Sequence, residues 1–179
     1  RYFNTPNQEG LGKKIAALEK SEAGMIFSSG MAAVSHCLLA FLHKGDHVVL
    51  PQTLYGGTYN FVVEEFHKFG IAYTFADGFT EKDFEKAIET NTKVIYVETP
   101  SNPLMKITDL EIIARLAKKY SLVSMIDNTF ASAINQTPAD FGIDIMIHSA
   151  TKYMGGHSDI CAGAVAASSK HMDVIWNIS

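Results

Sequence analysis

The runs Val94-Ile95-Tyr96-Val97 and Val123-Ser124-Met125-Ile126 are apolar at nearly every position and show little of the in–out alternation of a half-exposed strand. Such runs are expected of parallel strands covered on both faces by helices, and they confine the chain to a layered α/β architecture. The segments between them agree. Thr5-Pro6-Asn7-Gln8 combines a capping Thr, a Pro at the first helical position and a Gln three residues after the cap, with Leu11, Ile15 and Leu18 following at helical spacing. A strand over 24–27 then meets a Ser28-Ser29-Gly30 turn that opens an apolar helix to Leu42. His47-Val48-Val49-Leu50, ended by Pro51, reads as the next strand, and Tyr55-Gly56-Gly57-Thr58 leads into a helix closing near Gly70. The alternation continues with a strand over 71–75, a helix from Thr80 capped with the help of Asp83, and a strand over 93–98. A capping box at Thr108-Asp109-Leu110-Glu111 is expected to start a helix to Tyr120, followed by a strand over 122–126. Strands over 143–147 and 162–167 remain, the second expected to run antiparallel because a short connection separates it from Lys152.

At 179 residues, 47% of them apolar and 19% charged, a chain buries a core without disulfides or a structural metal. A small disulfide-stapled scaffold is thereby excluded. The net charge of −4 is spread along a sequence with no basic run longer than a pair, so neither nucleic acid nor a membrane surface is expected as a partner. Cys37 and Cys161 are too far apart for a zinc-ligand or redox spacing and are expected to be buried and reduced. No metal role is assigned to the seven histidines. No apolar run approaches the ~20 residues of a membrane span and no signal-peptide pattern opens the sequence, which points to a cytoplasmic location. The sequence begins at Arg1 without an initiator Met and stops at Ser179 inside a helical pattern, so it is expected to be a piece of a longer protein.

In an open parallel sheet, ligands bind in the crevice beyond the carboxyl ends of the strands. Four clusters fall there: Ser28-Ser29-Gly30-Met31, Glu98-Thr99-Pro100-Ser101-Asn102-Pro103, Asp127-Asn128-Thr129 and Ser149-Ala150-Thr151-Lys152. Gly30 at a helix start leaves free N–H groups that suit a phosphate, although Ser29 and Gly30 also read as a plain cap and a packing glycine. Ser149 and Thr151, two apart on an extended chain, point the same way beside Lys152, whose amine is either a carbonyl nucleophile or a surface charge. Asp127 directly follows an apolar strand, where a carboxylate needs a partner such as a pyridinium nitrogen, or else turns the chain. Tyr55 either stacks on a flat ligand or packs on the surface, and Asn102 either binds a ligand or shapes a proline turn. Taken together, a phosphate grip, a ring-nitrogen carboxylate, a stacking aromatic and a lysine in one crevice are the parts a pyridoxal phosphate enzyme requires.

The order Ser29-Gly30-Met31-Ala32-Ala33, Leu54-Tyr55-Gly56-Gly57-Thr58, Glu98-Thr99-Pro100-Ser101-Asn102-Pro103, Asp127-Asn128-Thr129 and Ser149-Ala150-Thr151-Lys152-Tyr153 resembles the trans-sulfuration family of pyridoxal phosphate enzymes over nearly the whole chain. That family includes the cystathionine lyases and γ-synthase, methionine γ-lyase and the homoserine-ester sulfhydrylases. The resemblance implies a mostly parallel sheet flanked by helices, the large cofactor domain of fold-type I. Residues 1–179 would be an incomplete copy of it, with 1–22 part of the N-terminal arm and first helix and the C-terminal domain absent. It implies that Lys152 holds the cofactor and moves protons, that Asp127 keeps the pyridine nitrogen protonated, and that Gly30 and Met31 N–H groups with the Ser149 and Thr151 hydroxyls bind the phosphate. Tyr55 would stack on the ring and serve as acid or base, and Asn102 would stand near the phenolic oxygen and the substrate carboxylate. Arg1 would reach the phosphate of a neighbouring subunit, which implies a dimer sharing active sites and usually a tetramer. Methionine γ-lyases carry a Cys where this sequence has Gly57, so that member fits less well.

The reading that results is a pyridoxal phosphate-dependent carbon–sulfur lyase acting on cystathionine or a related amino acid. Its alternatives are a γ-replacement enzyme, meaning a cystathionine γ-synthase or homoserine-ester sulfhydrylase, and more remotely a non-catalytic oligomerising domain. A nucleotide-dependent oxidoreductase lacks its glycine fingerprint.

Overall fold

A computed structural model describes residues 5–178. Thr5 Oγ1 accepts the Gln8 N–H while the Gln8 side chain accepts the Thr5 N–H, and this reciprocal cap starts α1 (Pro6–Leu18). The chain then alternates through β1 (Ala23–Phe27), α2 (Gly30–Phe41), β2 (His47–Pro51), α3 (Gly56–Phe69), β3 (Ala72–Ala76), α4 (Glu81–Ala87), β4 (Thr92–Glu98), α5 (Leu110–Tyr120) and β5 (Val123–Asp127). A short α6 (Ser132–Asn135) and a 3-10 turn at Pro138–Phe141 lead to β6 (Ile145–His148), β7 (Gly163–Ala167) and α7 (Ser169–Asn177). No helix among the described residues is long and apolar enough to cross a membrane.

The seven strands among the described residues form one sheet in the order β1-β7-β6-β5-β4-β2-β3. β7 runs antiparallel to both β1 and β6, as its short connection suggested, and the other neighbours pair in parallel. Strand alternation divides the core in two. Val48, Leu50, Val94, Tyr96, Met125, Ile145 and Val165 pack with α2, α3 and α7 on one face. Val49, Ile95, Val97, Ile126, Met146 and Ala166 pack with α1, α4 and α5 on the other. All of these strand residues are fully or nearly fully buried, which is why the sequence shows no alternation there.

Two expectations are corrected. α5 starts on the Asp109 side chain, which accepts the Glu111 N–H at 2.9 Å. Thr108 forms no capping box, because its N–H donates to Thr99 Oγ1 at 3.0 Å and its hydroxyl is buried without a partner. Cys37 is buried as expected, but Cys161 is exposed: the small residues around it belong to the loop between β6 and β7, not to a covered strand.

Candidate active site

After β2 the chain crosses to α3 on the first face, and after β4 it crosses to α5 on the second. The carboxyl ends of these neighbouring strands therefore open a crevice, the usual ligand position in such sheets. A cavity of about 280 Å³ lies there, lined by Gly30, Met31, Tyr55, Asn102, Asp127, Ser149, Thr151 and Lys152. All the described residues singled out by sequence are thus brought together. Arg1 lies outside the described residues.

One end of the cavity is the start of α2. Ser29 Oγ accepts the Ala32 N–H at 3.0 Å, so the serine is a cap, while the Gly30 and Met31 N–H groups carry no hydrogen bond among the described residues. Helix geometry aims these groups outward with the positive end of the dipole, an arrangement suited to an anion. Gly30 is glycine for a further reason: a Cβ there would stand 2.7 Å from the Ser149 Cβ. The loop after β6 packs directly against the first turn of α2, and that contact brings the Ser149 hydroxyl beside the free N–H groups. Thr151 also lines the cavity, with its hydroxyl turned to Ala162, donating to the carbonyl at 3.1 Å and accepting the N–H at 2.9 Å.

Asp127 ends β5 at 9% exposure. Its Oδ1 accepts both the N–H of Thr129, at 3.0 Å, and the Thr129 hydroxyl, and its Oδ2 has no hydrogen bond among the described residues. Burial pushes its pKa up, and the two bonds from Thr129 and the nearby His148 pull against that rise. The Lys152 side chain makes no ion pair or hydrogen bond among the described residues, leaving its amine available. Tyr55 stands at the entrance to α3, 45% exposed. Its ring lies over Gly57, where a Cβ would come within 2.6 Å of Tyr55 Cε1.

Two residues of the site lay within clusters named from sequence but were given no role of their own there. Thr129 Oγ1 accepts the Ser149 N–H at 2.8 Å as well as donating to Asp127, so it joins the carboxylate to the lysine loop. Its signal was present as a hydroxyl two residues after an Asp, the spacing of a side-chain turn. Glu98, 5% exposed at the end of β4, accepts the Tyr55 N–H at 2.8 Å and the Asn102 N–H at 2.6 Å. It stands in register with Asp127. Burial first, and the Asp127 charge second, push Glu98 up to about 7 against the pull of those two donors. A group 43 residues from Tyr55 that bonds only to main-chain atoms leaves no sequence motif. Cys161 also faces the cavity.

On the opposite face of the same strand ends, Glu19 is fully buried and accepts from the Asn128 amide at 2.9 Å and pairs with His148. Gln136 completes this cluster, donating to Asn128 Oδ1 and the Thr99 carbonyl. It braces the strand ends from behind.

Comparison with known proteins places these features in context. A family described as Cys/Met metabolism PLP-dependent enzyme matches residues 1–177. The chain is 47% identical over 167 residues to a cystathionine γ-lyase of Bacillus subtilis, a match covering 93% of this chain and 44% of that protein. It is 46% identical over 165 residues to a cystathionine β-lyase of Staphylococcus haemolyticus, covering 92% and 42%. Its fold superposes with a TM-score of 0.94 and 40% identity on a crystal structure of cystathionine γ-lyase from Lactobacillus plantarum complexed with L-serine, covering 98% of this chain and 46% of that one. The chain spans a little under half the length of these relatives.

Proposed function

The chain belongs to the Cys/Met metabolism PLP-dependent enzyme family, and from that membership we propose that the whole protein is a carbon–sulfur lyase acting on cystathionine or a related amino acid. The observation that carries the proposal is the meeting, in one cavity, of the Lys152 amine, the buried Asp127 carboxylate and the open start of α2. The two lyase relatives support the substrate class.

The residues fit pyridoxal phosphate. Asp127 is a largely buried carboxylate whose Oδ2 has no hydrogen bond among the described residues, the natural partner of a cationic ring N–H. The N–H groups of Gly30 and Met31, with Ser149, suit the phosphate at the other end. When bound, the cofactor supplies an aldehyde that takes up an amino group and an electron-poor ring that stabilises negative charge at the substrate Cα.

In this reading Asp127 holds a proton at the ring nitrogen, with Thr129 fixing the carboxylate's orientation. Lys152 Nζ holds the cofactor and, when the substrate amine replaces it, takes the proton from Cα. Its flexible stem lets the same amine serve a second carbon. Tyr55 covers the ring and exchanges a proton at its hydroxyl, Asn102 orients the substrate end, and Arg1 reaches the phosphate of a neighbouring subunit. The proposal includes a homodimer sharing its sites and pairing into a tetramer. Leu104, Met105, Ile107 and Ile134, 56–80% exposed in the segments that follow β4 and β5, support such an interface. It also includes a cytoplasmic location, and a C-terminal domain carrying the substrate-carboxylate Arg, supported by the greater length of the relatives.

Incubating the full-length protein with cystathionine and identifying the products tests this. Cysteine marks γ-cleavage and homocysteine β-cleavage. No turnover until an activated homoserine is added would replace the lyase reading with a γ-replacement one. Lys152→Ala is expected to lower kcat by at least about a hundredfold.

A further inference from the structure

Glu98 is a buried carboxylate at the rim of the cavity with no basic side chain paired to it among the described residues. Isolating a charge this way is costly unless it is hydrogen-bonded, and here both oxygens accept from main-chain N–H groups, at 2.8 Å from Tyr55 and 2.6 Å from Asn102. These donors sit on two different loops, one leaving β2 and one leaving β4. The Tyr55 bond is the only hydrogen bond joining residues 53–55 to a strand among the described residues. Tyr55 makes no side-chain cap for α3, so nothing else of that kind fixes where the turn stands. The Asn102 loop is laced to itself through Ser101, which binds Lys106 and Met105, and Glu98 ties this loop to the same strand end.

We propose that Glu98 is a positioning residue of the cofactor cavity: by accepting the main-chain N–H of Tyr55 on one oxygen and that of Asn102 on the other, it sets where the Tyr55 ring and the Asn102 side chain stand against pyridoxal phosphate. The inference rests on the assignment of the cavity to that cofactor. Only a carboxylate serves both donors. An amide at this position keeps one acceptor oxygen and turns an NH₂ group toward the other N–H.

The test is a cycle of variants of the full-length protein, each stripped of cofactor and titrated with pyridoxal phosphate. Visible absorbance reads affinity, visible circular dichroism reads the asymmetry of the bound ring, and melting of the apo form reads folding. Glu98→Gln is expected to weaken affinity about tenfold and to reduce the visible dichroism. In a Tyr55→Ala/Asn102→Ala background the same substitution is expected to change affinity less than about twofold, because the side chains it positions are gone. An equal loss in both backgrounds would show a merely structural role and overturn the proposal, as would wild-type affinity and dichroism in Glu98→Gln. If the apo form of Glu98→Gln does not fold, Glu98→Asp, which keeps the charge but shortens its reach, is read through the same cycle. Failure of the unsubstituted protein to bind pyridoxal phosphate would instead remove the cofactor assignment beneath this inference.

Discussion

Asp127 is held between opposing demands: burial favours its neutral form, and the cationic ring proposed for it requires the charged one. Thr129 tips the balance by giving Oδ1 an N–H and an O–H. Thr129→Val removes the hydroxyl from Asp127 and the acceptor from the Ser149 N–H in one step. It is expected to raise the Asp127 pKa further, to cost about 1–3 kcal/mol of stability and to weaken cofactor retention. Denaturant unfolding of the apo protein, with a cofactor titration beside it, checks both effects. Residues such as Lys152 and Asp127 were legible in the sequence because a reactive side chain just past an apolar run falls in the ligand crevice. Glu98 was placed in the crevice with its cluster by the same rule, but its role was not legible, since its partners are main-chain groups that every residue possesses. Cys161 was misjudged because small neighbours occur both in covered strands and in the exposed loop where it lies.

At the scale of elements, apolar periodicity fixed most helices and strands to within a residue or two, and caps located their starts where the cap was local. Thr80 and Asp83 form the reciprocal box the spacing predicts. The pattern at Thr108 predicts the same and fails, because Thr99 reaches across the proline loop and takes the Thr108 N–H. This difference is measurable. Asp109→Ala is expected to destabilise the protein by about 1 kcal/mol, whereas Thr108→Val, which removes a buried hydroxyl without a partner, is expected to leave stability unchanged or raise it. A lower denaturant midpoint for Thr108→Val than for Asp109→Ala would restore the local capping box.

At the scale of the whole molecule, the two ends of the sheet have different chemistry. The carboxyl ends carry the cavity, and the amino ends are joined by His47, whose ring nitrogens meet Thr92 at 2.8 Å and Thr74 at 3.0 Å. His47 is 1% exposed, and burial holds its pKa below the ordinary value, with Glu89 opposing. The unfolded chain therefore binds this proton more readily. The stability contributed by neutral His47 is complete above about pH 6.5 and is lost as pH falls through the folded value. His47→Gln is expected to flatten the acid limb of the stability–pH curve relative to wild type. Parallel curves for the two proteins below about pH 6.5 would place the acid sensitivity elsewhere.

The position of β7, slotted antiparallel between β1 and β6, also bears on how the protein is made. β1 precedes the other described strands and, among the described residues, pairs only with β7, so this ladder waits until Ala167 has left the ribosome, on the order of ten seconds later. A nascent chain in that interval exposes a β edge of the kind that invites aggregation. Chaperone dependence during synthesis is expected to concentrate in that window, before β7 joins the sheet.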